Sequence, residues 1–125
     1  MGDDLIPPDV REFILRHIES IAHLEALLLL LQQLDIKWSA ANVAEHLYIE
    51  PDQAAEVLQH LCATGLADCG DDVYWFNAAP AGQLEVVRQL AELYSNHLIP
   101  VTNLVHAKPS GIRKFAAAFK FRKDK

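Results

Sequence analysis

Basic residues are nearly absent from the first 107 positions. Only Arg11, Arg16, Lys37 and Arg88 stand there against sixteen acidic residues, a net charge of −12. A body of that sign does not attract polyanions by itself, because phosphate binding rests on Lys and Arg neutralising backbone charge. Long apolar runs are also missing. The longest, Ala26 to Leu31, falls far short of the roughly 20 residues a membrane-spanning helix needs. The acidic start Met1-Gly2-Asp3-Asp4 has no apolar stretch behind it and predicts no secretory signal. Ile6 stands where a myristoylation signal requires Ser or Thr. Cysteine is scarce: Cys62 and Cys69 form neither a CxxC pair nor a ligand cluster. They read as two small structural thiols in a reducing, cytoplasmic setting, with a redox switch as the alternative.

Catalytic signatures are missing as well. His17, His23, His46, His60, His97 and His106 show no HxxxH or HExxH spacing, so helical metal ligation has no support. The chain carries no phosphate loop, no GxSxG elbow and no dinucleotide fingerprint. The expectation is a protein that is not an enzyme and uses no cofactor or metal.

What is present is a globular composition, with 51% hydrophobic and 22% charged residues over 125 positions, enough for one core. Residues 9–34 are expected to form one long helix. Pro7-Pro8-Asp9 suits its start, and Phe13, Ile14, Ile18, Ile21, Leu24, Leu28 and Leu31 recur at spacings of three and four. Ile36-Lys37-Trp38 fits a short strand. Ser39 is a suitable N-cap for a helix over 40–47, with Trp38 and Val43 placed as a hydrophobic staple. Pro51 opens a helix over 51–64 with a core stripe of Ala54, Val57, Leu58 and Leu61. Gly65-Leu66 then matches a Schellman ending. Two β-prone runs, 66–69 and 73–76, flank Gly70-Asp71-Asp72 and predict a hairpin. A long helix is expected from Pro80 to about Leu98, bent at Pro100 and resuming to Ala107. A short basic helix over 112–121 would follow, capped by Ser110.

The segment Ser39-Ala-Ala-Asn-Val-Ala-Glu-His-Leu-Tyr-Ile-Glu-Pro-Asp-Gln-Ala-Ala-Glu-Val-Leu-Gln-His-Leu-Cys-Ala-Thr-Gly65-Leu66 resembles the helix-turn-helix of winged-helix regulators. The likeness spans about residues 10–79, and 80–107 are similar, more loosely, to the dimerisation helix of MarR-like regulators. The resemblance implies a mainly α fold: a winged helix-turn-helix with a two-stranded wing, a long C-terminal dimerisation helix and a short basic terminal helix. It divides the chain into a domain over 1–107 and an arm over 108–125, and implies transcription regulation by DNA binding. Winged helices also serve as protein–protein modules, so an interaction adaptor stays open beside the regulator.

The reading surface departs from a DNA binder's. Its exposed face should be Asp52, Gln53, Glu56, Gln59 and His60, without Lys or Arg, next to Asp68, Asp71 and Asp72 of the hairpin. Gln53, Gln59 and His60 are the candidate base- or partner-reading residues, since Gln pairs with adenine edges. The phosphate-binding candidates lie in the arm instead: Arg113, Lys114, Lys120, Arg122 and Lys123, interleaved with Ile112, Phe115, Phe119 and Phe121. With Lys108, Lys125 and the single acid Asp124, residues 108–125 carry +6. Three uses of the arm remain open: docking on an acidic body, holding nucleic acid, or contacting a membrane surface or partner protein. Leu84, Val87, Ala91, Tyr94 and Leu98 follow a 3-4 spacing, with a neighbouring stripe of Val86, Leu90, Leu93 and Leu104. Two stripes on one helix point to a homodimer.

Overall fold

The computed structural model describes residues 6–107. The arm 108–125, with the expected terminal helix and the candidates Arg113, Lys114, Lys120, Arg122 and Lys123, lies outside the described residues.

The expected long first helix is two helices, α1 (Pro8–His17) and α2 (Ile21–Gln32). Neither Gly nor Pro marks the break. Ile18 turns to extended backbone, fully buried, and Ser20 caps α2 by accepting a hydrogen bond from the His23 backbone N–H. Periodicity could not show this, because apolar residues continue in step across the break. Both touch the helix over Gln83–Asn96, but otherwise their neighbours differ: α1 packs on the helix over Leu98–His106, whereas α2 packs on those over Ala40–Leu47 and Pro51–Ala63 and on the sheet.

Next come β1 (Trp38–Ser39), α3 (Ala40–Leu47) and α4 (Pro51–Ala63). Ser39 Oγ accepts from Asn42 N–H at 3.1 Å, the expected N-cap. Pro51 opens α4, where its missing N–H costs no helical bond. The α4 end is a Schellman motif: Leu66 N–H reaches Leu61 C=O, Gly65 N–H reaches Cys62 C=O, and Gly65 has φ +85°.

The hairpin is β2 (Ala67–Gly70) and β3 (Val73–Phe76), joined by Asp71 and Asp72. Both aspartates have positive φ, as a two-residue type I′ hairpin turn requires. The sheet is antiparallel, in the order β1-β3-β2, with Trp38 opposite Tyr74 and Ala67 opposite Phe76. Trp38, Ala67 and Phe76 face the core.

Residues 77–82 are tied back by Gln83, whose side-chain amide donates to Gly65 C=O and Asn77 C=O, and by Asn77, which also donates to Gly65 C=O. The final helical region is α5 (Gln83–Asn96) and α6 (Leu98–His106). The break falls at His97, and Pro100 sits in the first turn of α6, where no intrahelical donor is lost. One core joins the six described helices and the sheet, with Ile14, Leu27, Val43, Leu61, Ala67, Leu90 and Val101 all buried in it.

The cysteines are not free thiols. Cys62 in the last turns of α4 and Cys69 in β2 form a disulfide, with Cα atoms 6.1 Å apart. The reversal at Thr64-Gly65 brings β2 against α4 and places the two side chains together. Sequence spacing alone gave no sign of this, because they stand seven positions apart and the geometry depends on the turn between.

Candidate functional site

The surface around α4 is assembled from three elements. Asp52, Gln53, Glu56 and Gln59 are exposed along α4, and Asp68, Asp71 and Asp72 are exposed on the hairpin beside it. The disulfide locks hairpin and helix into one unit.

The structure separates the three residues expected to read a partner. Gln53 and His60 line a shallow groove of about 470 Å³ together with Glu56 of α4 and Glu19, Ser20 and His23 at the start of α2. Gln59 is exposed but does not line that groove. His60 is half-buried and turned toward the body, its ring meeting that of His23 edge-on at 4.7 Å. Its Nδ1 is buried without a hydrogen-bond partner among the described residues. His23 Nδ1 lies 2.8 Å from Ser20 Oγ, so the serine that caps α2 also orients this imidazole. The histidine pair escaped sequence reading because 37 positions part its members; only the packing of α2 on α4 unites them.

Charge along the stretch of chain that forms α3, α4 and the hairpin has one sign. From Trp38 to Val87 the chain has no Lys or Arg, but it has Glu45, Glu50, Asp52, Glu56, Asp68, Asp71, Asp72 and Glu85. The nearest cation along the chain, Lys37, places its ammonium 4.5 Å from the centre of the Trp75 ring. Such a contact holds the cation on the sheet by its attraction to the ring face.

The turn between α3 and α4 adds a feature that sequence reading missed. Tyr48 caps α3 in left-handed backbone, φ 58° and ψ 46°, and its side chain is 94% exposed.

The expected dimer stripe divides. Val87 is fully buried within the chain, Leu84, Ala91 and Tyr94 are half-buried, and Leu98 is half exposed. Ile99 beside it is 64% exposed. Tyr94 points its hydroxyl at Glu25 of α2, donating a hydrogen bond of 3.0 Å. Burial, then that bond, then the carboxylate charge push its phenol up to about 12.

Among the described residues no three or more His, Cys, Asp or Glu side chains are grouped to hold a metal ion. No described helix is long and apolar enough to cross a membrane. No protein-family model, curated protein or solved structure significantly matches the chain.

Proposed function

We propose that this chain is a non-enzymatic winged-helix binding module, homodimeric through α5 and α6, whose α3–α4 unit and hairpin hold a basic segment of a partner protein. The element order α2-β1-α3-α4-β2-β3 and the sheet order β1-β3-β2 support a winged helix, with α4 in the place of the reading helix and the hairpin as a short wing. The observation that carries the choice of partner is the absence of Lys and Arg between residues 38 and 87, where eight carboxylates stand. A duplex brought to α4 would meet repulsion and find no cation on α3, α4 or the hairpin strands to release its counterions. A cationic peptide would find complementary charge, which steers association and selects partners.

The second reading, a winged-helix transcription regulator, is favoured by one feature. Seven of the eleven basic residues lie in 108–125. DNA contact would then come from Arg113, Lys114, Lys120, Arg122 and Lys123, with Gln53, Gln59 and His60 contributing little.

Fluorescence anisotropy of the full chain separates the two. An arginine-rich peptide should bind, and replacing Glu50, Asp52 and Glu56 together with their amides should weaken it about tenfold or more, a loss of roughly 1.4 kcal/mol. Mixed-sequence duplex DNA should bind weakly, and not through α4. Tight duplex binding that falls steeply between 50 and 200 mM salt, and vanishes on deletion of 111–125, would replace the adaptor with the regulator.

A further inference from the structure

Three non-glycine residues among those described have positive φ: Tyr48, Asp71 and Asp72. The two aspartates make a hairpin turn that demands this conformation, and aspartate tolerates it. Tyr48 takes it to end α3, where its own N–H and that of Ile49 both reach Ala44 C=O, but nothing in that motif asks for an aromatic side chain. A left-handed cap after a helix is ordinarily glycine or asparagine, because a Cβ is crowded there, and a bulky aromatic is an outlier. Its ring returns nothing to the core, being 94% exposed, well above Leu34, Ile36, Leu98 and Ile99, the other exposed large apolar side chains. The turn needs left-handed backbone here but not a tyrosine, and a bulky residue held in that conformation with its ring in water is a candidate for function.

The surroundings define what the ring suits. Glu45 in the last turns of α3, Glu50 two residues on, and Asp52 in the first turn of α4 are all exposed, and no cation lies between Lys37 and Arg88. An exposed ring flanked by carboxylates matches arginine. The planar guanidinium stacks on an aromatic face while its N–H fork pairs with carboxylate oxygens. Tyrosine is also among the residues that dominate protein interfaces, since it adds large contact area at small entropic cost.

We infer that Tyr48 is the anchor of the partner surface, stacking an arginine of the partner protein while Glu45, Glu50 and Asp52 pair with it and its basic neighbours. This rests on the reading that the partner is a basic protein segment, and it makes the α3–α4 turn the centre of contact, with the outward face of α4 at its edge.

The test uses the full chain and fluorescein-labelled peptides of alternating arginine and glycine, with a lysine–glycine counterpart, followed by anisotropy. Tyr48→Asn keeps a residue at ease in left-handed backbone, so it should melt no lower than wild type. It should weaken the arginine peptide about tenfold, within the range a desolvated cation–aromatic contact supports. Tyr48→Phe, which keeps the ring, should stay within about twofold of wild type, and the lysine peptide should lose less than the arginine peptide on Tyr48→Asn. Unchanged arginine-peptide affinity in Tyr48→Asn overturns the inference. If affinity still falls with Glu50→Gln and Asp52→Asn, the basic-partner reading survives without Tyr48. If no variant matters, or wild type binds neither peptide, both fall. Loss of duplex DNA binding in Tyr48→Asn, without loss of peptide binding, would mean that the ring faces nucleic acid and also overturns it.

Discussion

The Tyr94 hydroxyl on α5 donates a 3.0 Å hydrogen bond to Glu25 Oε2 on α2, across 69 residues of sequence. The pairing fastens the C-terminal helices to the centre of the domain, and burial of the ring, with the bond and charge of Glu25, sets a pH limit. The phenol is pushed up to about 12 from an ordinary value of 10.0. The raised value means that the folded state favours the neutral phenol. The resulting stability is fully present below pH 10 and is lost as pH rises through about 12. Phenolate absorbance of wild type minus that of Tyr94→Phe should therefore show a single step near pH 12. A step near 10 would mean that Tyr94 is neither buried nor bonded to Glu25 as described.

Cys62 and Cys69 should yield no reactive thiol in the denatured, unreduced protein and two after reduction. The closed loop is short, so replacing both with serine should lower stability by about 2 kcal/mol on chain-entropy grounds, read as a lower urea midpoint. Two thiols titrating before reduction would return the cysteines to the free state expected from sequence.

Ser20→Ala distinguishes two helices from one by the sign of its effect. In a continuous helix, alanine at this position is the better helix former and should stabilise slightly. At an N-cap it removes the acceptor for His23 N–H and should cost about 1 kcal/mol. Thermal denaturation of the variant gives the sign directly, and a higher melting temperature than wild type would contradict the break at residues 18–20.

Self-association through α5 and α6 predicts light scattering near twice the 14.0 kDa chain mass at high micromolar concentration. The side chains placed to carry it are Leu98 and Ile99, 50% and 64% exposed. Changing both to glutamate should give a folded monomer, whereas Val87→Glu should unfold the chain because that side chain is buried in the protomer itself. A wild-type mass of 14.0 kDa under these conditions would remove the dimer.

Local chemistry was enough wherever the deciding contact lies within a few residues. Ser39 reaches Asn42, Leu66 reaches Leu61, and Asp71-Asp72 close their turn between adjacent strands. Their positions in the sequence therefore announced α3, the end of α4 and the hairpin. The acidic character of the surface was equally legible, because charge needs no partner to be counted.

The remaining features depend on distant chain segments. Apolar spacing runs through residues 13–31 without interruption, yet α1 and α2 separate, sharing α5 but otherwise packing against different elements, α6 for α1 and α3, α4 and the sheet for α2. The stripe on 84–98 looked uniform, but α5 turns Val87 inward and ends before Leu98, leaving that residue half exposed. Gln53 and His60 share a groove while Gln59 does not, since only the first two face the start of α2. Cys62 meets Cys69 because β2 packs on α4 after the turn at Gly65. Sequence alone set the type of each segment and its charge. Periodicity marks which face of a segment is apolar, as Ala54, Val57, Leu58 and Leu61 did on α4, but which distant elements cover that face, and what they leave for a partner, is decided only by tertiary packing.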